Sequence, residues 1–205
     1  MNDIELRTFS AEMVAEDEAK KIKGVASVFE KISNNLGGFR EIIHYPAFGD
    51  LIVKDDVFAL KNHDENLILG RNISGTLRLI EDKEGLKFVV DPPDTTYAND
   101  LLVSMGRGDI DKCSFAFNVA EGGEWWEEVD GMPLRHVTKM GKLWDISIVT
   151  YPGFSQTKAE LFGRQIRTPE QVYKEYRSSK TQAQPEPPKR KIIDTLRLKQ
   201  KLIEK

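Results

Sequence analysis

Cysteine is nearly absent from this chain: Cys113 is the only one among 205 residues. An internal disulfide is therefore excluded, as is any redox or zinc site built on paired cysteines, and the composition fits a reducing compartment. Long apolar runs are missing as well. No stretch approaches the roughly 20 apolar residues of a membrane helix, and the first 20 residues are acidic rather than basic and then apolar. Neither a membrane anchor nor a secretory leader is expected, and the cytoplasm where the chain is made is the expected location. Histidine is scarce. His44, His63 and His136 never stand at i, i+3 or i+4 with one another, so no metal or other cofactor is expected.

Positive charge is short over most of the length. Residues 189–205 hold seven Lys+Arg against two acids, a net +5 within a total of −3, which leaves −8 on residues 1–188. An acidic body is a poor match for phosphate backbones, so no specific nucleic-acid binding is expected. The basic end reads either as a solvated segment or as a patch for an acidic partner.

What is present suits one core: 40% of residues are apolar, ordinary for a globular domain of this length. Apolar and polar residues alternate over 22–29, 39–44, 57–61, 72–80, 86–90, 113–119, 125–129, 134–139 and 143–150, the period of half-buried strands. Glu81-Asp82-Lys83-Glu84-Gly85 reads as a hairpin loop, and Gly122-Gly123 and Asp130-Gly131 as tighter reversals, giving a meander from about 113 to 150. Residues 95–106 instead place Tyr97, Leu101, Leu102 and Met105 on one helical face, with Thr95 and Gly106 where caps belong. The expected fold class is β-rich α+β, a barrel or curled antiparallel sheet with a few helices outside it. After residue 162 the composition changes. Thr168-Pro169-Glu170-Gln171 opens a helix to about residue 179, the Pro/Gln-rich stretch 181–188 is a linker, and Ile192, Ile193, Leu196, Gln200 and Ile203 return to near-helical spacing. Residues 163–205 are expected to form a helical appendage to a body spanning 1–162.

Three side chains draw attention as chemistry. His63 follows the apolar run 57–60, where a strand gives way to a polar turn, and imidazole titrates near neutral pH. Alternation places Ser114, Ala116 and Asn118 on one face and Cys113, Phe115 and Phe117 on the other. A hydroxyl at that strand start is either solvated or open to a base, whereas Cys113 turns toward the aromatic face, where a thiol is inert. Asp145 sits among apolar residues in 143–150 and must be exposed or find a partner. A histidine ring N–H would satisfy it and would fix the tautomer of that ring. Trp125 and Trp126 face opposite ways in a strand, one packed and one exposed.

Together these residues resemble the prohead maturation proteases of tailed phages. The resemblance rests on Leu60-Lys61-Asn62-His63-Asp64, Leu69-Gly70-Arg71, Ser114-Phe115-Ala116-Phe117 and Asp145-Ile146-Ser147-Ile148-Val149-Thr150-Tyr151-Pro152, in that order. The run 24–29 and Phe48-Gly49-Asp50 add to it, so it spans roughly residues 5–162. It implies a catalytic domain over 1–162, similar to herpesvirus assemblin, a β-barrel ringed by helices. It implies a serine endopeptidase that cuts scaffold or the N-terminal extension of the major capsid protein inside the immature prohead, cuts itself, and can act as a homodimer. His63 would then be the general base and Ser114 the nucleophile. Asp145 would be the third member, with His136 as its competitor because the herpesvirus enzymes use a second histidine. Arg71 and the turn at 150–154 are candidates for the oxyanion site.

Overall fold

Alternation of apolar and polar side chains turns most of the chain into strands. The computed structural model describes residues 3–10, 14–16, 20–151, 160–161 and 164–180. In chain order the elements are β1 (Glu5–Ser10), β2 (Val14–Glu16), β3 (Lys21–Val28), β4 (Arg40–Ile43), α1 (Leu51–Lys54), β5 (Phe58–Lys61) and β6 (Asp64–Arg71). Then come β7 (Leu77–Glu81), β8 (Gly85–Val90), α2 (Thr96–Gly106), β9 (Lys112–Val119), β10 (Glu124–Val129), β11 (Met132–Val137), β12 (Met140–Val149), β13 (Glu160–Leu161), β14 (Arg164–Gln165) and α3 (Pro169–Ser179).

A five-stranded sheet runs β1-β9-β12-β5-β6 and a four-stranded one β2-β3-β8-β7; β10-β11-β4 form a third and β13-β14 a two-stranded ribbon. The closed barrel expected from the family resemblance is not formed among the described residues, where these sheets are open. Nor is the pairing wholly antiparallel, since β4 runs parallel to β11 and β5 parallel to β12. The main core lies between the five- and four-stranded sheets: Phe115, Phe117 and Ile146 face Ile22, Leu86 and Phe88, and Ala98, Leu101 and Met105 of α2 close it. The opposite face of the five-stranded sheet carries a small second cluster of Ile4, Leu6, Ala116 and Trp144. No helix among the described residues is long and apolar enough to cross a membrane.

Several sequence expectations shift by a definite cause. The run 72–80 is a strand only from Leu77; Asn72 Oδ1 instead accepts from the backbone N–H groups of Val57 and Ile73, which holds residues 72–76 as a turn. β6 follows directly after His63, although its polar start conceals it. Thr95 occupies the N-cap of α2 but makes no capping bond, and the helix is ended by Gly108 at φ +80 rather than by Gly106.

α3 forms as its sequence dictates. Gln171 N–H donates to Thr168 Oγ1 at 3.2 Å, Thr168 N–H donates to Gln171 Oε1 at 2.7 Å, and Pro169 opens the first turn. Residues 164–180, expected outside the body, pack on it. Val172 and Tyr176 are buried one turn apart, Tyr176 stacks on Trp126 with centroids 4.2 Å apart, and Ile166 bridges to Ile4. The linker 181–188 and the helical spacing from Ile192 lie outside the described residues.

The three-stranded sheet, β1 and the approach to α3 are tied by a set of three arginines and three glutamates, of which Arg7, Arg135, Glu5 and Glu41 are buried and Arg167 and Glu124 partly exposed. Arg135, fully buried, donates to Glu5 at 2.6 and 3.0 Å, to Glu41 at 2.9 Å and to Glu124 at 2.8 Å. Arg7 donates to Glu41 at 2.7 and 2.9 Å and to Glu5 at 2.7 Å, and Arg167 also reaches Glu5. Burial alone would raise the Glu5 carboxyl, but Arg135 and Arg7 outweigh it and hold that group well below the usual carboxylate range. Removing one member leaves buried charge uncompensated, which costs about 3–5 kcal/mol. Arg135→Ala is therefore expected to lower the urea unfolding free energy by about that amount, whereas Arg71→Ala, at a solvent-screened pair with Asp56, is expected to lower it far less. Equal losses in the two variants would show that the buried network is not what holds these strands.

Candidate active site

Asn62 and His63 are the two residues between the paired Lys61 and Asp64, and both adopt left-handed backbone conformations, with φ of +54° and +52°. Such a pair makes the tight reversal of a two-residue hairpin, a conformation that asparagine and histidine enter more readily than most residues. It still costs roughly 1–2 kcal/mol per residue, so it needs support from outside the turn. β12 supplies that support. Asn62 N–H donates to Ile148 O at 2.9 Å, Thr150 N–H donates to Asn62 Oδ1 at 3.0 Å, and His63 N–H donates to Ser147 Oγ at 3.1 Å.

The side chains of β12 are phased by a register shift. Strict alternation would put Leu143, Asp145 and Ser147 on one face, yet Leu143, Ile146 and Ile148 all enter the main core. The ladder to β9 slips between Leu143 and Asp145, and this bulge turns Trp144, Asp145 and Ser147 to the other face. Asp145 is completely buried there. Its Oδ1 accepts from His63 Nδ1 at 2.8 Å and from Ser147 Oγ at 2.7 Å. A carboxylate in that position holds the imidazole as the Nδ1–H tautomer and leaves Nε2 as the ring atom that takes a proton.

Ser114 lies one strand away. In the β9 ladder it pairs with Ser147 of β12 on one side and with Thr8 of β1 on the other. The alternation read from sequence is what forms: Cys113, Phe115 and Phe117 enter the main core and Ala116 the second cluster. The expectation of an open hydroxyl does not hold. Ser114 is 2% exposed, so its hydroxyl is buried rather than solvated. Cys113 is no rival nucleophile: burial pushes its thiol up to about 12, and Sγ donates to Val25 O at 3.2 Å.

The remaining candidates have other partners. His136 Nδ1 lies 2.8 Å from His44 Nε2, its Nε2 lies 3.1 Å from Glu127 Oε1, and its ring stacks on Trp125 at 3.6 Å. The ring thus joins the β10–β11 pair to the end of β4, and Asp145, not His136, is what meets His63. Burial, and then the neighbouring His44, push His136 down to about 3. Arg71 is bound to Asp56 by two hydrogen bonds and lies over Phe58. Residues 152–154 of the other oxyanion candidate lie outside the described residues. Sequence reasoning missed Ser147 and the clasp of Asn62 on Thr150. Period-two spacing from Asp145 and the two-residue gap between strands at 62–63 were the available signals.

Comparison with known proteins identifies one family: the caudovirus prohead serine protease model matches residues 5–172. No curated protein and no solved structure matches the chain.

The His136 environment sets a pH dependence. The unfolded ring takes a proton near its ordinary 6.5, and the folded ring not until about 3. Its contribution to stability is therefore complete above pH 6.5 and is lost as pH falls, by up to ~1.4 kcal/mol per pH unit. Between pH 6.5 and 5, above the main carboxylate range, the urea midpoint of the wild type should fall, and His136→Gln should flatten that fall. An unchanged slope in the variant would assign the effect to other groups.

Proposed function

The chain belongs to the caudovirus prohead serine protease family, and from that premise we propose that Ser114, His63 and Asp145 are its catalytic residues. Membership indicates a serine protease of capsid maturation, with capsid proteins as substrates. The finer reading is an endopeptidase that cuts scaffold or the N-terminal extension of the major capsid protein, and then itself, inside the prohead in the host cytoplasm. One observation carries the catalytic assignment: a buried imidazole is fixed through Nδ1 by a buried carboxylate at 2.8 Å, one strand from a serine in the family's motif.

In this reading Ser114 Oγ attacks the scissile carbonyl carbon while His63 Nε2 takes its proton. The tetrahedral adduct collapses, the C–N bond breaks, and the same proton passes from His63 to the leaving amine. Water then attacks the acyl-enzyme ester, giving its proton to His63, and the ester bond breaks to return Ser114 as a hydroxyl. Asp145 carries no proton in either half; it stabilises the imidazolium and keeps its orientation. With Ser114 only 2% exposed, productive binding requires a local opening over β9.

The test is intact-mass analysis of wild type and Ser114→Ala, each incubated alone and with the cognate capsid and scaffold proteins. Wild type is expected to produce fragments and Ser114→Ala none, with both folded by circular dichroism. Asp145→Asn should retain binding and lose turnover on the order of 10⁴-fold, as when a triad carboxylate is replaced by its amide. Equal cleavage by wild type and Ser114→Ala would remove Ser114 as nucleophile. Absence of cleavage by either, with capsid binding intact, would make the chain an assembly module of the same fold.

A further inference from the structure

Ser147 is fully buried, next in the ladder to Ser114, yet it is not needed as a nucleophile. Its single O–H is committed to Asp145 Oδ1 at 2.7 Å, and its oxygen accepts the backbone N–H of His63 at 3.1 Å. One hydroxyl therefore touches both partners of the His63–Asp145 pair, the histidine through its main chain and the aspartate through its side chain. Each contact restrains something that is otherwise loose. His63 sits at φ +52°, a conformation it leaves unless held. Asp145 receives both donors on Oδ1, while Oδ2 has no hydrogen-bond partner among the described residues. Without Ser147 the carboxylate would keep one bond and could swivel about it.

We propose that Ser147 is the positioning residue of this site, bridging the His63 main chain to Asp145 so that the imidazole holds one tautomer and one direction toward Ser114. The proposal rests on the catalytic reading above for its effect on rate, but not for its effect on the ring. The backbone clasp through Asn62, Ile148 and Thr150 fixes where the turn lies; Ser147 fixes how the ring and carboxylate meet within it.

Two readouts on the full chain separate these ideas. The first is the rate at which a fluorophosphonate phosphonylates Ser114, followed by intact mass and peptide mapping: Ser114 Oγ bonds to phosphorus, fluoride leaves, and His63 takes the proton. The second is the ¹⁵N spectrum of the His63 ring, which reports its tautomer whether or not the enzyme is active. Ser147→Ala, with unchanged circular dichroism, is expected to slow labelling about 10- to 100-fold, the cost of a misplaced catalytic group. It should also replace a single Nδ1–H tautomer by a mixture. Ser147→Thr, which keeps the hydroxyl, should restore both, and it carries the test if the alanine variant does not fold: a folded threonine variant with wild-type rate but a mixed tautomer overturns the proposal. So does wild-type labelling or a wild-type ring spectrum in Ser147→Ala, or a label that maps to Ser147 itself. If the wild type takes no label, the catalytic reading fails, and the ring spectrum alone decides whether Ser147 positions His63.

Discussion

The register of β12 against its two neighbours is the constraint on which the site depends. β12 lies antiparallel to β9 and parallel to β5, so one strand reads the position of Ser114 on one side and of the His63 turn on the other. A slip of a single residue would exchange its faces, sending Asp145 into the main core and Ile146 out of it. The slip is opposed from both sides. Phe115, Phe117, Ile146 and Ile148 need the core, and Asp145, completely buried, needs the two donors that only this register provides. The bulge before Asp145 reconciles these demands, since it lets Leu143 and Ile146 both face inward.

Buried polar groups recur elsewhere with the same logic. The Arg7–Arg135–Arg167 and Glu5–Glu41–Glu124 set balances three charges of each sign and joins elements far apart in sequence. Such a network gives little net stability relative to apolar packing, but it penalises every arrangement that leaves one member unpaired. It fixes β1 beside β4 and β11, and β1 in turn is the neighbour of Ser114. The His44–His136 contact adds a second tie between β4 and β11.

Much of the fold was legible along the chain because strands announce themselves by period-two burial. Cys113–Val119 and the hairpin around residues 82–84 follow directly from it. β6 was hidden because Asp64, Glu65 and Asn66 carry no alternation, and its strand character comes from pairing with β5. The parallel pairs, the open sheets and the docking of α3 depend on contacts among residues distant in sequence, which no local pattern encodes. His63 was visible at a strand end, and Ser114 on the face opposite the phenylalanines.

By itself the sequence determined the cysteine-poor and β-rich character of the protein, the face each residue of β9 presents, the capping of α3 and the four motifs on which the family resemblance rests. Those properties are set by residue type and by spacing within a few positions. The tertiary structure decided that Asp145 is buried rather than exposed, that it meets His63 in place of His136, that Ser114 is covered, and that Ser147 touches both partners. Each of these depends on which strands become neighbours and in what register, and that is fixed only when the whole core closes.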